Sequence, residues 1–577
     1  MGSPIAILGL HVSSSAAAAC VLVDGQLLSA AQEDRFRRAP QASGFPTEAA
    51  RWCLSSAGIA PESLAHVALS CDPRARLVRR ALRLLRPQAG RRLEREHAPQ
   101  AAPGSRLAHE LARAFGHPVG ALRPRVHRIE EARAQLASAF LVSPYERAAI
   151  ASIGSCGELA SAVWGAGEDR RMHVHGEVLR PHSLDWLVHA LARHLGLAAD
   201  AGQAHALARL AAHGEATRLD ELRQLVRLER GGGFALELER LSPAALERRF
   251  GPARAADTPF EPEHCELAAS LQVAYEEVFF HLLEALWQRT QSRYLCLASG
   301  SNDNAIAIGK IPRRTEFREV WVPASAGEAG RAIGAACATW NQTLGRARSY
   351  VLRHAFLGPA AGNEECRAQL ELRANELRRA GARFERVEGR AELCRRAAEQ
   401  LAEGALVGWF QGRMEWGAHG LGNRNLLVDP RRPDLAERLR RGARAACTPS
   451  ALSVSVLREE APHWFECESE LPFLAQALEL RPERRARLPA LAAEQGGCTH
   501  TVARDQNALF HELLSAFHRR TGVPLLASAP LDAGRPIPCQ PADALDGFLA
   551  SGMDVLVLGE WIVERKAALQ PALARAA

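Results

Sequence analysis

Residues 5–31 read IAILGLHVSSSAAAACVLVDGQLLSAA, and this stretch decides the fold. Residues 5–10 form one apolar run and residues 17–23 another. Asp24-Gly25 joins the second run to residues 26–31. An Asp-Gly pair between apolar segments is a hairpin signal, because both positions tolerate positive φ. A second block of this form begins near Arg147. Residues 148–153 are strand-like, Gly154-Ser155-Cys156-Gly157 turns the chain, and residues 159–164 are strand-like again. Two strand-turn-strand blocks far apart in one chain are the trace of a duplicated α/β unit.

Working outward, residues 183–213 are Ala/Leu-rich and predict helix, and residues 266–289 predict one long amphipathic helix. Residues 294–297 predict a strand running into Ala298-Ser299-Gly300-Ser301-Asn302. Residues 320–323 predict another, ending in Ala326-Gly327-Glu328-Ala329-Gly330 before an Ala-rich helix. A glycine-containing loop between strand and helix aims backbone N–H groups at an anion, although most such loops are only turns. The small residues of 357–363 place a boundary within 345–370. Beyond it a strand at 405–410 enters the most distinctive segment, Gly408-Trp409-Phe410-Gln411-Gly412-Arg413-Met414-Glu415-Trp416-Gly417. The tail predicts helix 507–521, strand 523–527, helix 541–551 and strand 554–558.

Composition narrows the function classes. The chain has 577 residues, 47% hydrophobic and 24% charged, enough for two or more buried cores. A net charge of +7 is small for this length, and the Arg-rich stretch 74–92 carries Leu at helical spacing. It reads as a solvated helix face rather than a nucleic-acid patch. No apolar run reaches the roughly 20 residues of a membrane span. Residues 1–10 lack a basic leader region and read as a first buried strand. The only lysines are Lys310 and Lys566, so a titratable amine nucleophile is scarce. The 13 cysteines are scattered without a CxxC pair, which argues against structural zinc and fits a reducing cytoplasm.

Several ordered blocks then resemble the O-carbamoyltransferases of nodulation-factor and antibiotic tailoring. They are Gln32-Glu33-Asp34-Arg35-Phe36 with Gly44-Phe45-Pro46, Ala137-Ser138-Ala139-Phe140, Leu267-Ala268-Ala269-Ser270-Leu271-Gln272, Trp321-Val322-Pro323, residues 408–430, and Thr521-Gly522-Val523-Pro524. The resemblance implies an α/β protein of two lobes: an actin-like (ASKHA) duplicated lobe over 1–348, with subdomains near 1–165 and 166–348, and a YrdC-like lobe over 349–577. It also implies ATP-dependent formation of carbamoyl adenylate in the second lobe, and transfer to a hydroxyl beside iron in the first. Carried over by motif, Gly300, Asn304, Gly327, Arg413, Asn423, Arg424 and Arg444 are candidates for cofactor binding, and Glu328 for a metal ligand.

The departures fall on polar positions. The family's His-Asp-Ser run is here Ser13-Ser14-Ser15, with His11 just upstream. Its His-His-x-x-His run is Glu131-Ala132-Arg133-Ala134-Gln135, and its metal-loop Asp is Glu328. Asp303 stands beside the expected phosphates, one Arg has become His419, and of three cations downstream only Arg444 remains. Neutral imidazoles and carboxylates make a transition-metal site, and Ala and Gln do not. His11 and Glu158 are the remaining candidates for catalysis.

Three readings stay open. The first is a degenerate member with lost metal and carbamoyl phosphate sites, binding neither ATP nor iron tightly. It would act as a non-catalytic partner of an intact paralogue, or bind a small natural-product intermediate. The second is an active O-carbamoyltransferase with rebuilt sites. The third is a different activity in the same cleft, with Cys156 or Cys447 as nucleophile. A homo-oligomer fits any of them; nucleic-acid and membrane partners fit none.

Overall fold

The computed structural model describes residues 4–13, 15–39, 42–72, 107–154, 159–197, 203–299, 304–324, 326–443, 452–467, 469–493 and 497–565. The chain divides into two compact units, Met1–Arg37 with Gln41–Leu352, and Arg38–Pro40 with Arg353–Ala577.

The opening stretch forms β1 (Ala6–His11), β2 (Ala18–Val23) and β3 (Gln26–Gln32), an antiparallel meander. Asp24 and Gly25 have φ of 48° and 84°, the left-handed pair that a two-residue hairpin turn requires. Strands β4 (His66–Leu69) and β5 (Arg125–Arg128) add in parallel on the other side of β1, giving the order β3-β2-β1-β4-β5. The second block repeats this. Strands β6 (Arg147–Ile153), β7 (Ala160–Glu168) and β8 (Arg171–Leu179) form a meander. After a small hairpin, β9 (Val226–Leu228) with β10 (Phe234–Leu236), strands β11 (Tyr294–Ser299) and β12 (Glu319–Trp321) pair in parallel beyond β6. The order β12-β11-β6-β7-β8 is the first sheet's order read from its other end. The first unit is thus the duplicated actin-like α/β arrangement.

One helix closes over β1 and crosses a second helix there. Helix Arg331–Ala338 crosses the strand at Gly9, where a Cβ would lie 2.6 Å from the Cys20 sulfur and closer still to the Ala332 carbonyl. The same helix crosses helix Glu131–Phe140 at Gly334, where a Cβ would run into the Ala134 carbonyl and lie 2.9 Å from the Ser138 nitrogen. Glycine at both positions lets the backbones touch, and this contact brings residues 131–135 beside residues 326–331.

The second unit is built on one nine-stranded mixed sheet. Its central strands are Val407–Phe410 and Arg424–Val428, paired antiparallel with Phe410 opposite Arg424. The sheet is packed with large apolar side chains, Trp409, Phe410, Phe510, Phe517 and Phe548 among them. Helix Ala508–Thr521 lies against it, its first turn capped by Asn507, whose side chain accepts the Phe510 N–H at 3.1 Å. No helix among the described residues is long and apolar enough to cross a membrane.

Because the Gly334 crossing has no room for a methyl group, Gly334→Ala is expected to lower stability by about 1–3 kcal/mol, the usual cost of forcing extra volume into a packed contact. Urea denaturation checks this, and an unchanged midpoint would mean that the helices separate freely.

Candidate functional site

In the first unit, the helix crossing gathers a polar cluster. His11 ends β1 and is 4% exposed. Its Nδ1 pairs with the Ser70 hydroxyl at 2.8 Å, and its Nε2 has no hydrogen-bond partner among the described residues. Burial, helped by the Arg331 charge, lowers its pKa to about 4 against the pull of Glu328 and Glu131. The ring is therefore neutral at pH 7. Glu328, half-buried, accepts from the Ser15 hydroxyl at 2.9 Å. Gln135, 1% exposed, is engaged at both ends of its amide. Its nitrogen donates to the carbonyls of Ala326 and Gly327, and its oxygen accepts from Arg331 Nε at 2.8 Å. Burial pushes the Asp185 carboxyl up to about 6 despite Arg180 nearby. Gly327 serves as backbone, accepting from Gln135 and from the Gly330 N–H.

The iron that the family resemblance implies does not fit this donor set. Gln135 stands where an imidazole would, its acceptor oxygen is occupied by a guanidinium, and Ala132 offers no donor. No group of three or more His, Cys, Asp or Glu among the described residues converges in a geometry that could hold a metal ion.

Of the residues expected to bind cofactor, Asn304 caps helix Ala305–Gly309, accepting the Ala307 N–H at 3.0 Å. It also exchanges amide hydrogen bonds with Gln272, at 2.7 and 3.2 Å. Lys310 pairs with Glu276 at 2.6 Å. Gly300 and Glu158 lie outside the described residues, as do Cys156, Arg444 and Cys447.

In the second unit the signature loop is organised by Glu415, a residue the motif comparison did not single out. Its carboxylate is 1% exposed. One oxygen accepts the N–H groups of Leu421, Asn423 and Arg424 at 2.8, 2.7 and 3.0 Å. The other oxygen has no partner among the described residues. Arg424 is fully buried, and its guanidinium lies 3.6 Å from the centre of the Phe410 ring. Its nitrogens donate to the carbonyls of Gln411, Gly412, Asn423 and Pro538. Burial lowers its pKa to about 10, with the Glu415 charge opposing. Arg413 donates to the Gly358 and Leu357 carbonyls at 3.2 and 2.8 Å. Asn423 bridges the Arg413 carbonyl and the Asn507 amide at 2.7 and 3.0 Å. The three motif residues described here thus come together, each bonded to the fold.

Beside this loop, a cavity of about 10 Å³ is lined by residues including His354, Leu421, His500 and Asn507, the space of about one water. A larger cavity of about 410 Å³ lies along helix Pro541–Ala550, with Arg373, Leu531 and Asp546 in its wall and none of the expected site residues. Arg373 there pairs with Asp546 at 2.6 Å and with Glu376 at 2.8 Å.

A duplicated actin-like unit followed by a separate α/β unit defines the class. Residues 6–337 match the family description Carbamoyltransferase N-terminus, and residues 398–565 match Carbamoyltransferase C-terminus. The chain belongs to the carbamoyltransferase family. It is 30% identical to nodulation protein NolNO of Sinorhizobium fredii over 96% of this chain and 79% of that protein. It is 31% identical to nodulation protein NolO of Bradyrhizobium diazoefficiens over 75% of this chain and 78% of that protein. A Synechocystis protein is 28% identical over 97% of both chains. Among solved structures, a ROK hexokinase from Thermus thermophilus aligns over 59% of this chain and 100% of its own, at 17% identity and a TM-score of 0.31.

The buried histidine of the second unit gives a pH test. His500 pairs with the Ser455 hydroxyl at 3.1 Å, and burial lowers its pKa to about 3. Unfolded, it titrates near 6.5, so between these values the unfolded chain holds a proton that the folded chain does not. Stability therefore falls as pH drops below about 6.5. Between about pH 7 and about pH 5, His500→Gln is expected to lose about 2 kcal/mol less than the native chain. Equal losses in urea titrations would show that the ring takes up a proton while folded.

Proposed function

We propose that this chain is a carbamoyltransferase-family protein of natural-product biosynthesis that no longer forms carbamoyl adenylate. It would act in the cytoplasm as a non-catalytic partner of an intact carbamoyltransferase, or as a holder of a small pathway intermediate. The observation that carries this reading is the guanidinium of Arg424, with its donors turned onto backbone carbonyls and its face on Phe410. A phosphate is gripped by guanidinium forks that point at it with free N–H groups. Arg413 is likewise turned to carbonyls.

One observation favours a second reading, an active transferase with a rebuilt site. His11 is neutral at pH 7 and its Nε2 is unpartnered among the described residues, the state a general base needs. That reading requires ATP and carbamoyl phosphate to bind. Isothermal titration of the full chain with each is expected to give no heat at millimolar ligand, and tagged protein to co-purify with a carbamoyltransferase carrying the His-rich run. Binding of both ligands with pyrophosphate release would overturn the proposal in favour of the rebuilt enzyme.

A further inference from the structure

The buried Arg331 has a consequence of its own. Its side chain is 3% exposed, on the first turn of the helix that crosses β1. Its Nε donates to Gln135, a residue 196 positions away that occupies an imidazole position of the family's metal run. Gln135 in turn holds the Ala326 and Gly327 carbonyls, next to Glu328, which stands at the family's metal-loop Asp. The charges of Arg331, Glu328 and Glu131 all act on the His11 ring at the end of β1. Carboxylates partly withdrawn from water, as Glu131 and Glu328 are, favour a compensating cation. We propose that Arg331 is that cation: its tethered guanidinium takes over charge compensation at the position of the family's metal and excludes a divalent ion from it.

The reasoning is electrostatic and geometric. A guanidinium beside Gln135 blocks the amide oxygen that a metal would need. Its positive charge also opposes a dication at close range in a medium that screens weakly. Gln135 suits this arrangement better than histidine would. Its oxygen accepts from Arg331 while its nitrogen holds the Glu328 loop, whereas a neutral imidazole has a single acceptor nitrogen and a single N–H. The inference goes beyond the functional proposal and is independent of it, since a rebuilt transferase could also employ a fixed guanidinium.

Cobalt(II) is the probe, because its visible absorption reports ligation directly. The native chain and Arg331→Lys are both expected to show neither a ligand-field band nor calorimetric heat with cobalt(II). Glu131→His with Gln135→His restores two imidazoles but keeps Arg331, and is expected to bind weakly. Adding Arg331→Met to that pair should raise cobalt(II) affinity at least about tenfold, the effect of removing one nearby positive charge. Equal affinity with and without Arg331 would overturn the proposal. So would cobalt(II) binding by the native chain that Glu328→Gln abolishes, or binding by Arg331→Lys, an arm that decides even where the methionine variant fails to fold. Turnover of ATP and carbamoyl phosphate by a metal-free native chain would sink the functional proposal and leave this one standing.

Discussion

The second unit depends on one carboxylate. Glu415 takes three backbone N–H groups on a single oxygen and so fixes the loop from Leu421 to Arg424. That loop feeds Arg424 into a central strand opposite Phe410, and its guanidinium then ties the segments around residues 411–412 and 538 together through their carbonyls. A buried carboxylate and a buried guanidinium are each costly alone. Here one Glu415 oxygen and the Arg424 guanidinium are covered by backbone dipoles, and the Glu415 charge also supports the charged form of Arg424. The distinctive segment of the sequence is in this sense a folding element, with its polar groups facing inward.

The first unit uses charge in a parallel way. Helix Arg331–Ala338 approaches β1 and helix Glu131–Phe140 closely because Gly9 and Gly334 have no side chain to keep them apart. The crossing places Arg331 against Gln135 and brings the Glu328 loop within reach of Gln135 and Ser15. A helix crossing that buries polar side chains must hydrogen-bond them. Here a glutamine and an arginine bond each other, with both ends of the amide engaged. In both units these polar side chains bond backbone or one another: Arg413 and Arg424 hold carbonyls, and Gln135 holds two carbonyls and Arg331.

Much of the fold was legible in the sequence. The Asp24-Gly25 turn and the apolar runs beside it gave the first hairpin, and the recurrence near Arg147 gave the duplication. The long helix expected over 266–289 begins earlier, as Pro262–Thr290, and Pro at its first position with Glu261 as cap was a readable start signal. The helix expected over 183–213 is two, Leu184–His194 and Gln203–Ala211. Gly196, with φ of 65°, follows the end of the first, and a glycine there is a helix stop signal in the sequence. The strand expected over 320–323 is Glu319–Trp321, since Pro323 has no N–H to donate to a ladder. The site was less legible. Motif spacing located Arg413, Asn423, Arg424 and Glu328, but not which groups their side chains bond. The roles of Glu415 and Arg331 rest on bonds to backbone and to a distant helix, which no local pattern encodes.

The most direct measurement of the central claim is exchange of labelled pyrophosphate into ATP by the purified chain in the presence of carbamoyl phosphate. This exchange runs only where an adenylate forms and reverses on the protein. The expected result is no exchange above the protein-free background. Exchange that depends on carbamoyl phosphate, and that Arg424→Met abolishes while the protein remains folded, would contradict it. The buried guanidinium would then have to turn from its carbonyls to a phosphate during turnover.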